Sequence, residues 1–169
     1  VEKHPMSEFA YILRNRSKKE LMETQEYLES KIYLQSLASQ APVITLKPKK
    51  GTAVLDLTAA PGSKTSQIAN LMKKQGKLIA IEINQPRFFK LQHNMKAQGF
   101  DDPEFLKLEL TSGVKFCKDT DLKFDYILLD APCSAESRFD FKEPKTYRFW
   151  SQQKVKENQS KQKKLLKGA

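Results

Sequence analysis

Two short segments of the sequence hold residue types that could do chemistry, and each follows an apolar run. The first, residues 56–64, begins with Asp56 and continues through small residues and Gly62 to Lys64. If a helix starts there, its unpaired amides and its dipole favour an anionic group such as a carboxylate or a phosphate. The segment is not the phosphate-binding loop of ATPases and GTPases, because a serine separates Gly62 from Lys64.

The second segment, residues 130–134, places Asp130 and Cys133 just past another apolar run. A cysteine thiol can add to carbon-6 of a pyrimidine, which makes carbon-5 nucleophilic enough to accept a methyl group, while a nearby acid holds the polar edge of the ring. A lone cysteine is more often a buried structural thiol, and we expect this of Cys117. Asp130 and the turn at residues 58–64 favour a chemical role for Cys133.

Glu82 lies near the end of the apolar run that follows residues 56–64. An acid at this place usually accepts hydrogen bonds from the ribose hydroxyls of an adenosine-type ligand. A solvated glutamate at a strand end is the alternative, but the preceding turn favours a nucleoside cofactor. The turn and Glu82 alone do not separate NAD from S-adenosylmethionine, whereas Cys133 favours the latter.

The elements that must position these residues alternate along the chain. Apolar runs at residues 52–57, 77–83, 104–110 and 124–130 predict four strands, and helical patterns follow the first two. This alternation predicts a parallel, doubly wound α/β sheet. In such sheets ligands bind beyond the carboxyl ends of the strands, where all three candidate sites lie.

Helical patterns also flank the predicted sheet. A capping box at residues 17–20 opens one of them, and further helices are predicted at residues 36–44 and 151–166. We therefore expect an N-terminal helical segment at residues 1–50 and a core domain at residues 51–169.

The positive charge is concentrated at the ends of the chain. The net charge is +10, of which residues 142–169 contribute +7 and residues 51–141 nothing. A neutral centre with basic flanks is typical of a protein that does chemistry in one part and grips an anionic polymer, such as nucleic acid, with the others. The lysines of the last helix could equally solvate an exposed face.

The composition narrows the class of protein. Hydrophobic residues make up 39%, and no apolar stretch approaches the ~20 residues of a membrane-spanning helix. Two cysteines do not make a disulfide framework, so we expect a reducing, cytoplasmic setting. His4 and His93 are the only histidines and no Cys/His cluster exists in the sequence, so no metal site is expected.

Together the two segments resemble a known family. Residues 56–65 and 130–134 look like the first and fourth motifs of the Sun/nucleolar-protein (Fmu-like) RNA cytosine carbon-5 methyltransferases. Residues 33–42 are similar to the segment before the family's catalytic core, and residues 150–151 and 162–169 to the helix after the fourth motif. The resemblance implies a Rossmann-like class I methyltransferase sheet, mostly parallel, with S-adenosylmethionine as cofactor. It also implies ribosomal or transfer RNA as the substrate in which 5-methylcytosine is formed.

The resemblance further implies roles for individual residues. Glu82 would hold the ribose, and Asp130 would border both the cofactor and the target base. Cys133 would be the fourth-motif cysteine, which in this family assists release of the methylated RNA. The residues of the first motif would wrap the methionine end of the cofactor: Thr58, Ala59, Ala60, Pro61, Gly62, Ser63 and Lys64.

Some family features are missing from the sequence. The attacking cysteine of the family lies in a later Thr-Cys-Ser motif, which residues 1–169 lack. The third-strand aspartate near the adenine is replaced at residues 109–111, and Ala135 stands where glycine usually follows Pro-Cys-Ser. We expect part of a longer, monomeric protein, with a sheet incomplete on its C-terminal side and no methyl transfer by these residues alone.

Two other functions fit parts of the pattern. A non-catalytic RNA-binding module would keep the fold and the cofactor pocket without the nucleophile, and the missing Thr-Cys-Ser motif favours it if the natural chain lacks that motif as well. A methyltransferase of small molecules would fit the pocket but would leave the basic residues 142–169 without a role.

Overall fold

The N-terminal part of the chain consists of short elements. The computed structural model describes residues 1–5 and 9–169. The first strands pair in antiparallel orientation, and three helices follow them. These elements are β1 (Glu2–Lys3), β2 (Tyr11–Ile12), α1 (Lys18–Met22), α2 (Gln25–Leu28) and α3 (Leu37–Leu46).

The expected capping box is present at the start of α1. The Ser17 hydroxyl accepts the N–H of Glu20, and the Glu20 carboxylate accepts the N–H of Ser17 at 2.7 Å. The helical pattern is nevertheless divided, because Thr24 adopts an extended conformation and its hydroxyl accepts the N–H of Tyr27, which starts α2. The helix predicted at residues 36–44 is α3.

A parallel sheet of four strands forms the centre of the molecule. Its strands are β3 (Ala53–Asp56), β4 (Lys77–Glu82), β5 (Leu106–Leu110) and β6 (Tyr126–Leu128). The strand order is β5-β4-β3-β6, and Asp56 at the end of β3 is opposite Ala80 on β4 and Leu128 on β6. The four predicted strands and their parallel arrangement are confirmed, each strand being shorter than its apolar run.

Two helices connect the strands β3, β4 and β5 of the parallel sheet in chain order. They are α4 (Ser63–Met72) and α5 (Gln85–Ala97). The Asn84 side chain accepts the N–H of Arg87 at 3.1 Å, and Pro86 lies in the first turn, where a missing N–H costs nothing. Beyond the end of α5, Gly99 has a φ of +74°, which glycine adopts without strain.

Two more helices lie on the C-terminal side. They are α6 (Gly113–Asp119), which the sequence pattern does not predict, and α7 (Gln152–Gly168), which it does. The two helices pack on each other, and Leu165 of α7 is buried while Leu166 is exposed. No helix in the described part of the chain is both long and apolar enough to cross a membrane.

Both faces of the sheet are covered, which explains why its strands are apolar almost throughout. Helices α3, α4 and α5 cover one face, and α6 covers the other. The first face is packed by Val43, Val54, Ile68, Leu78, Leu91 and Met95. The second is packed by Leu55, Leu57, Ile79 and Ile81, with Phe116 and Phe124 against them. Within the described residues, β6 pairs with β3 alone and forms an edge of the sheet.

Candidate active site

The predicted site residues converge at the carboxyl edge of the sheet. The turn after β3 and the loop after β6 touch directly, since the Thr58 hydroxyl donates to the Asp130 carbonyl oxygen at 2.9 Å. The Lys64 ammonium lies 2.7 Å from the Asp130 carboxylate. The two sequence motifs, distant along the chain, therefore form one site, as adjacent parallel strands require.

The Asp56 carboxylate stabilises the turn at residues 58–64. Its carboxylate is buried and accepts hydrogen bonds from the Thr65 hydroxyl at 2.8 Å and from the Thr58 N–H at 3.4 Å. Burial raises the pKa of Asp56 to about 6, and the hydrogen bond from Thr65 partly opposes this shift. This carboxylate holds the turn rather than facing a ligand.

The backbone of the turn comes close to α5. The Ala60–Pro61 peptide bond is cis, and Gly62, which precedes α4, has a φ of +105°. A Cβ at this position would lie 3.0 Å from Leu91 Cδ1, so any other residue would strain the backbone and crowd this buried leucine. The α4 N-terminus has no side-chain cap, and its first amides therefore remain for an anionic group.

Lys64 connects this site to the N-terminal segment. Its side chain is only 14% exposed, and its ammonium donates to the Ser39 hydroxyl at 2.9 Å in addition to pairing with Asp130. Ser39 lies in α3 and was not a candidate from the sequence. The Ser39 hydroxyl and the Asp130 carboxylate together hold the Lys64 ammonium in place.

Glu82 is 3% exposed at the end of β4. One carboxylate oxygen accepts the N–H of Asn84 at 2.8 Å, and the other lies 3.5 Å from the Arg87 guanidinium. Arg87 also donates to the carbonyl oxygen of Ala60, so this side chain links Glu82 to the turn after β3. Sequence reasoning missed Arg87, whose only signal is its place one turn beyond a strand-end acid.

Two apolar side chains flank Glu82 at the strand ends. Ile83 is 69% exposed and Leu110, at the end of β5, is 43% exposed. Sequence reasoning missed both, although exposed aliphatic residues at the ligand edge of a sheet are suited to a flat apolar ring. They occupy the region where the family aspartate is absent.

Cys133 is exposed in the loop after β6, whereas Cys117, expected to be a buried thiol, packs against the core but is only half-buried. The Gln162 amide of α7 donates to the Pro132 carbonyl oxygen at 2.8 Å and fixes the loop beside Cys133. Ala135 has a φ of +60°, a conformation that costs a residue with a Cβ roughly 1–2 kcal/mol. The glycine usual at this place would avoid that strain.

The sheet order, the small-residue turn after β3 and the acid at the end of β4 define a Rossmann-like domain of the class that binds a nucleoside cofactor. The sequence model of the family described as "16S rRNA methyltransferase RsmB/F" matches residues 43–169, and the chain belongs to this family. The resemblance to Sun-type proteins and the expected fold are thereby confirmed.

Curated relatives and solved structures agree with this assignment. Ribosomal RNA small subunit methyltransferase F of Cronobacter sakazakii is 38% identical over 148 residues, which are 86% of this chain and 30% of that protein. The tRNA (cytosine(72)-C(5))-methyltransferase of Pyrococcus horikoshii is 34% identical over 68% of this chain and 28% of that protein. The crystal structure of NSun6 from Pyrococcus horikoshii with SFG has a TM-score of 0.75 and 30% identity, covering 88% of this chain and 36% of that one. The chain thus spans about a third of these relatives.

Proposed function

We propose that this chain is the S-adenosylmethionine-binding part of an RNA methyltransferase that forms 5-methylcytosine in ribosomal or transfer RNA. The observation that carries the proposal is the contact between the two motifs, in which Thr58 and Lys64 both bind Asp130. The named rRNA and tRNA methyltransferases among the relatives support the substrate class. The relative determined with SFG, an analogue of S-adenosylmethionine, supports the cofactor.

The residues present fit this cofactor. The free amides at the start of α4 suit the carboxylate of its methionine part, and the buried Glu82 suits its ribose hydroxyls. Ile83 and Leu110 would contact the faces of its adenine ring. When bound, the cofactor supplies an electrophilic methyl group on sulfur.

The loop after β6 would receive the target base. Lys64 orients the Asp130 carboxylate, which would accept a hydrogen bond from the polar edge of the cytosine. The exposed Cys133 thiol would assist release of the methylated RNA, and α7 holds its loop through Gln162. The cysteine that attacks carbon-6 would come from a Thr-Cys-Ser motif outside residues 1–169.

Replacing Glu82 tests the cofactor site. We expect Glu82→Ala to weaken S-adenosylmethionine binding by roughly 2–3 kcal/mol, because two hydrogen bonds to a charged acceptor are lost. Isothermal titration calorimetry on the 169-residue chain measures this, with a thermal melt to show that the variant is folded.

Glu104→Ala is the matched control, since Glu104 is exposed and precedes β5, at the amino ends of the strands and away from the turn. Equal affinities of the parent and Glu82→Ala would reduce Glu82 to a structural acid. Failure of the parent to bind would remove the proposed cofactor.

A non-catalytic RNA-binding module is the second candidate, and it would be favoured if the natural chain also lacks the Thr-Cys-Ser motif that residues 1–169 lack. The cytoplasmic location, the monomeric state of the full-length protein and the absence of a metal stay predictions from the sequence.

A further inference from the structure

Five aromatic residues follow residues 129–135, the loop after β6 that we call the Cys133 loop; three of them are exposed, and Phe139 and Tyr147 are partly buried. Four of them form a continuous series of ring contacts, with centroid distances of 5.9 Å for Phe141 and Tyr147, 6.0 Å for Tyr147 and Phe139, and 6.3 Å for Phe139 and Trp150. Phe149 is the neighbour of Trp150 in sequence. We call Phe139, Phe141, Tyr147, Phe149 and Trp150 the aromatic platform.

Three rings of the aromatic platform are exposed to solvent. Phe141 is 82% exposed, Phe149 65% and Trp150 43%, so their rings contribute little to the core. Scattered single apolar residues on a surface are ordinary, but contiguous ones mark a contact site.

Cations are interleaved with these rings. The Arg148 guanidinium lies 4.4 Å from the centroid of the Phe149 ring, and the Lys154 ammonium lies 5.5 Å from it. Lys142 and Lys145 lie between the platform residues in sequence, within the segment 142–169 that carries a charge of +7. An apolar protein partner would not need this charge, whereas a polyanion with flat rings would match both features.

The platform is attached to the Cys133 loop. The Trp150 indole N–H donates to the Glu136 carboxylate at 2.8 Å. Hydrogen bonds from the Ser134 hydroxyl and from Trp150 lower the pKa of Glu136. Since Ser134 follows Cys133 directly, the platform and the proposed base site are adjacent parts of one surface.

We propose that the aromatic platform binds unpaired RNA next to the target cytosine, with bases stacked on Phe141 and Phe149 and phosphates contacted by the neighbouring cations. That the polyanion is RNA rests on the proposed function. The stacking residues themselves follow from the exposure and the cation contacts of the platform. Unpaired RNA is favoured over a duplex because only unstacked bases can offer their faces to side chains.

The test compares RNA binding by the 169-residue chain and by its Phe141→Ala and Phe149→Ala variants. The probes are a short fluorescent RNA without self-complementarity and a duplex of the same sequence, and the readout is fluorescence anisotropy. We expect each substitution to weaken binding of the unpaired RNA about tenfold, with little change for the duplex. Phe141→Tyr and Phe149→Tyr keep the rings and should keep the affinity.

Leu122→Ala is the matched control. Leu122 is 56% exposed and precedes β6, so it lies near the amino ends of the strands, whereas the aromatic platform follows their carboxyl ends. Unchanged affinity in both alanine variants, equal losses for the duplex and the unpaired RNA, or no RNA binding by the parent would each overturn the inference. A change in oligomeric state instead of affinity would also overturn it, since the platform would then be a protein contact. S-adenosylmethionine binding, titrated separately, decides the proposed function independently of these outcomes.

Discussion

The carboxylate of Asp56 illustrates how single residues at this site serve the backbone rather than the ligand. It lies beneath the turn at residues 58–64 and accepts hydrogen bonds from Thr65 and Thr58. Its pKa is about 6 in the folded protein, against an ordinary value of 3.8, because burial disfavours the charged form. Folding is therefore accompanied by uptake of a proton when the pH lies between 3.8 and about 6.

The sign of this shift predicts a pH dependence. The folded protein binds the proton more tightly than the unfolded chain, so the contribution of Asp56 is greatest below about pH 4 and is lost as the pH rises through about 6. Relative to the parent, Asp56→Asn should therefore gain up to about 3 kcal/mol of unfolding free energy between pH 4 and pH 7. Urea unfolding across this range measures the difference, with Asp101→Asn as a control for removing one exposed charge. A difference that is constant with pH would contradict the prediction.

Which site residues are predictable depends on where their partners lie. Glu82, Asp130 and Cys133 are visible in the sequence because each lies at or just beyond the end of an apolar run that predicts a strand. Ser39 and Arg87 are not, since they act through contacts with Lys64 and Ala60 that lie 25 and 27 residues away. No local pattern encodes such contacts.

At the scale of elements, α7 could be predicted from local sequence, whereas α6 could not. The long helix α7 begins at the N-cap Ser151 and could be predicted, whereas α6 is short and begins with Gly113. A Cβ at Gly113 would lie 2.9 Å from Leu165 Cδ2 and 3.1 Å from the Leu57 carbonyl oxygen, so glycine lets α6 approach the sheet. Helix α6 therefore depends on tertiary packing that its own sequence does not reveal.

Because α7 is rich in lysine, we expect the affinity of the chain for RNA to fall as the salt concentration rises. Each phosphate contact with a single strand adds about 0.7 to the slope of log affinity against log salt, so neutralising three contacts should flatten it by up to about 2. The variant carries Lys161→Gln, Lys163→Gln and Lys164→Gln, and filter binding over a salt series measures the slope.

A variant of equal charge provides the control for this experiment. Lys49→Gln, Lys50→Gln and Lys77→Gln remove three exposed cations before β3 and at the start of β4, the opposite edge of the sheet. We expect its slope to match that of the parent. If the α7 variant also keeps the parent slope, the lysines of that helix only solvate an exposed face.

The molecule as a whole divides its tasks between a neutral centre and a basic C-terminal surface. Residues 51–141 carry no net charge, and residues 142–169 carry +7. The sequence predicts this division and the sheet that carries it, because charge and hydrophobic periodicity are local quantities. It does not predict that the aromatic rings of residues 139–150 gather into one patch, since their contacts follow from irregular turns.

At the scale of the whole chain, the missing attacking cysteine leads to a prediction about methyl transfer. We expect the 169-residue chain to bind S-adenosylmethionine but to transfer no methyl group to RNA, because the only motif cysteine it contains, Cys133, is proposed to serve in product release. Incubation of the chain with radiolabelled S-adenosylmethionine and ribosomal or transfer RNA measures transfer. Incorporation that disappears in Cys133→Ser would instead make Cys133 the attacking nucleophile.

The hydrogen bond between Trp150 and Glu136 has an optical consequence. Trp150 is the single tryptophan of the sequence, so tryptophan fluorescence, excited selectively over that of the tyrosines, reports on one place only. Its indole is held by an acid that also binds Ser134, the residue next to Cys133. Any ligand that displaces this loop changes the polarity around the indole and shifts its emission. The 169-residue chain therefore carries its own spectroscopic label at the proposed entrance for the base, with no dye attached.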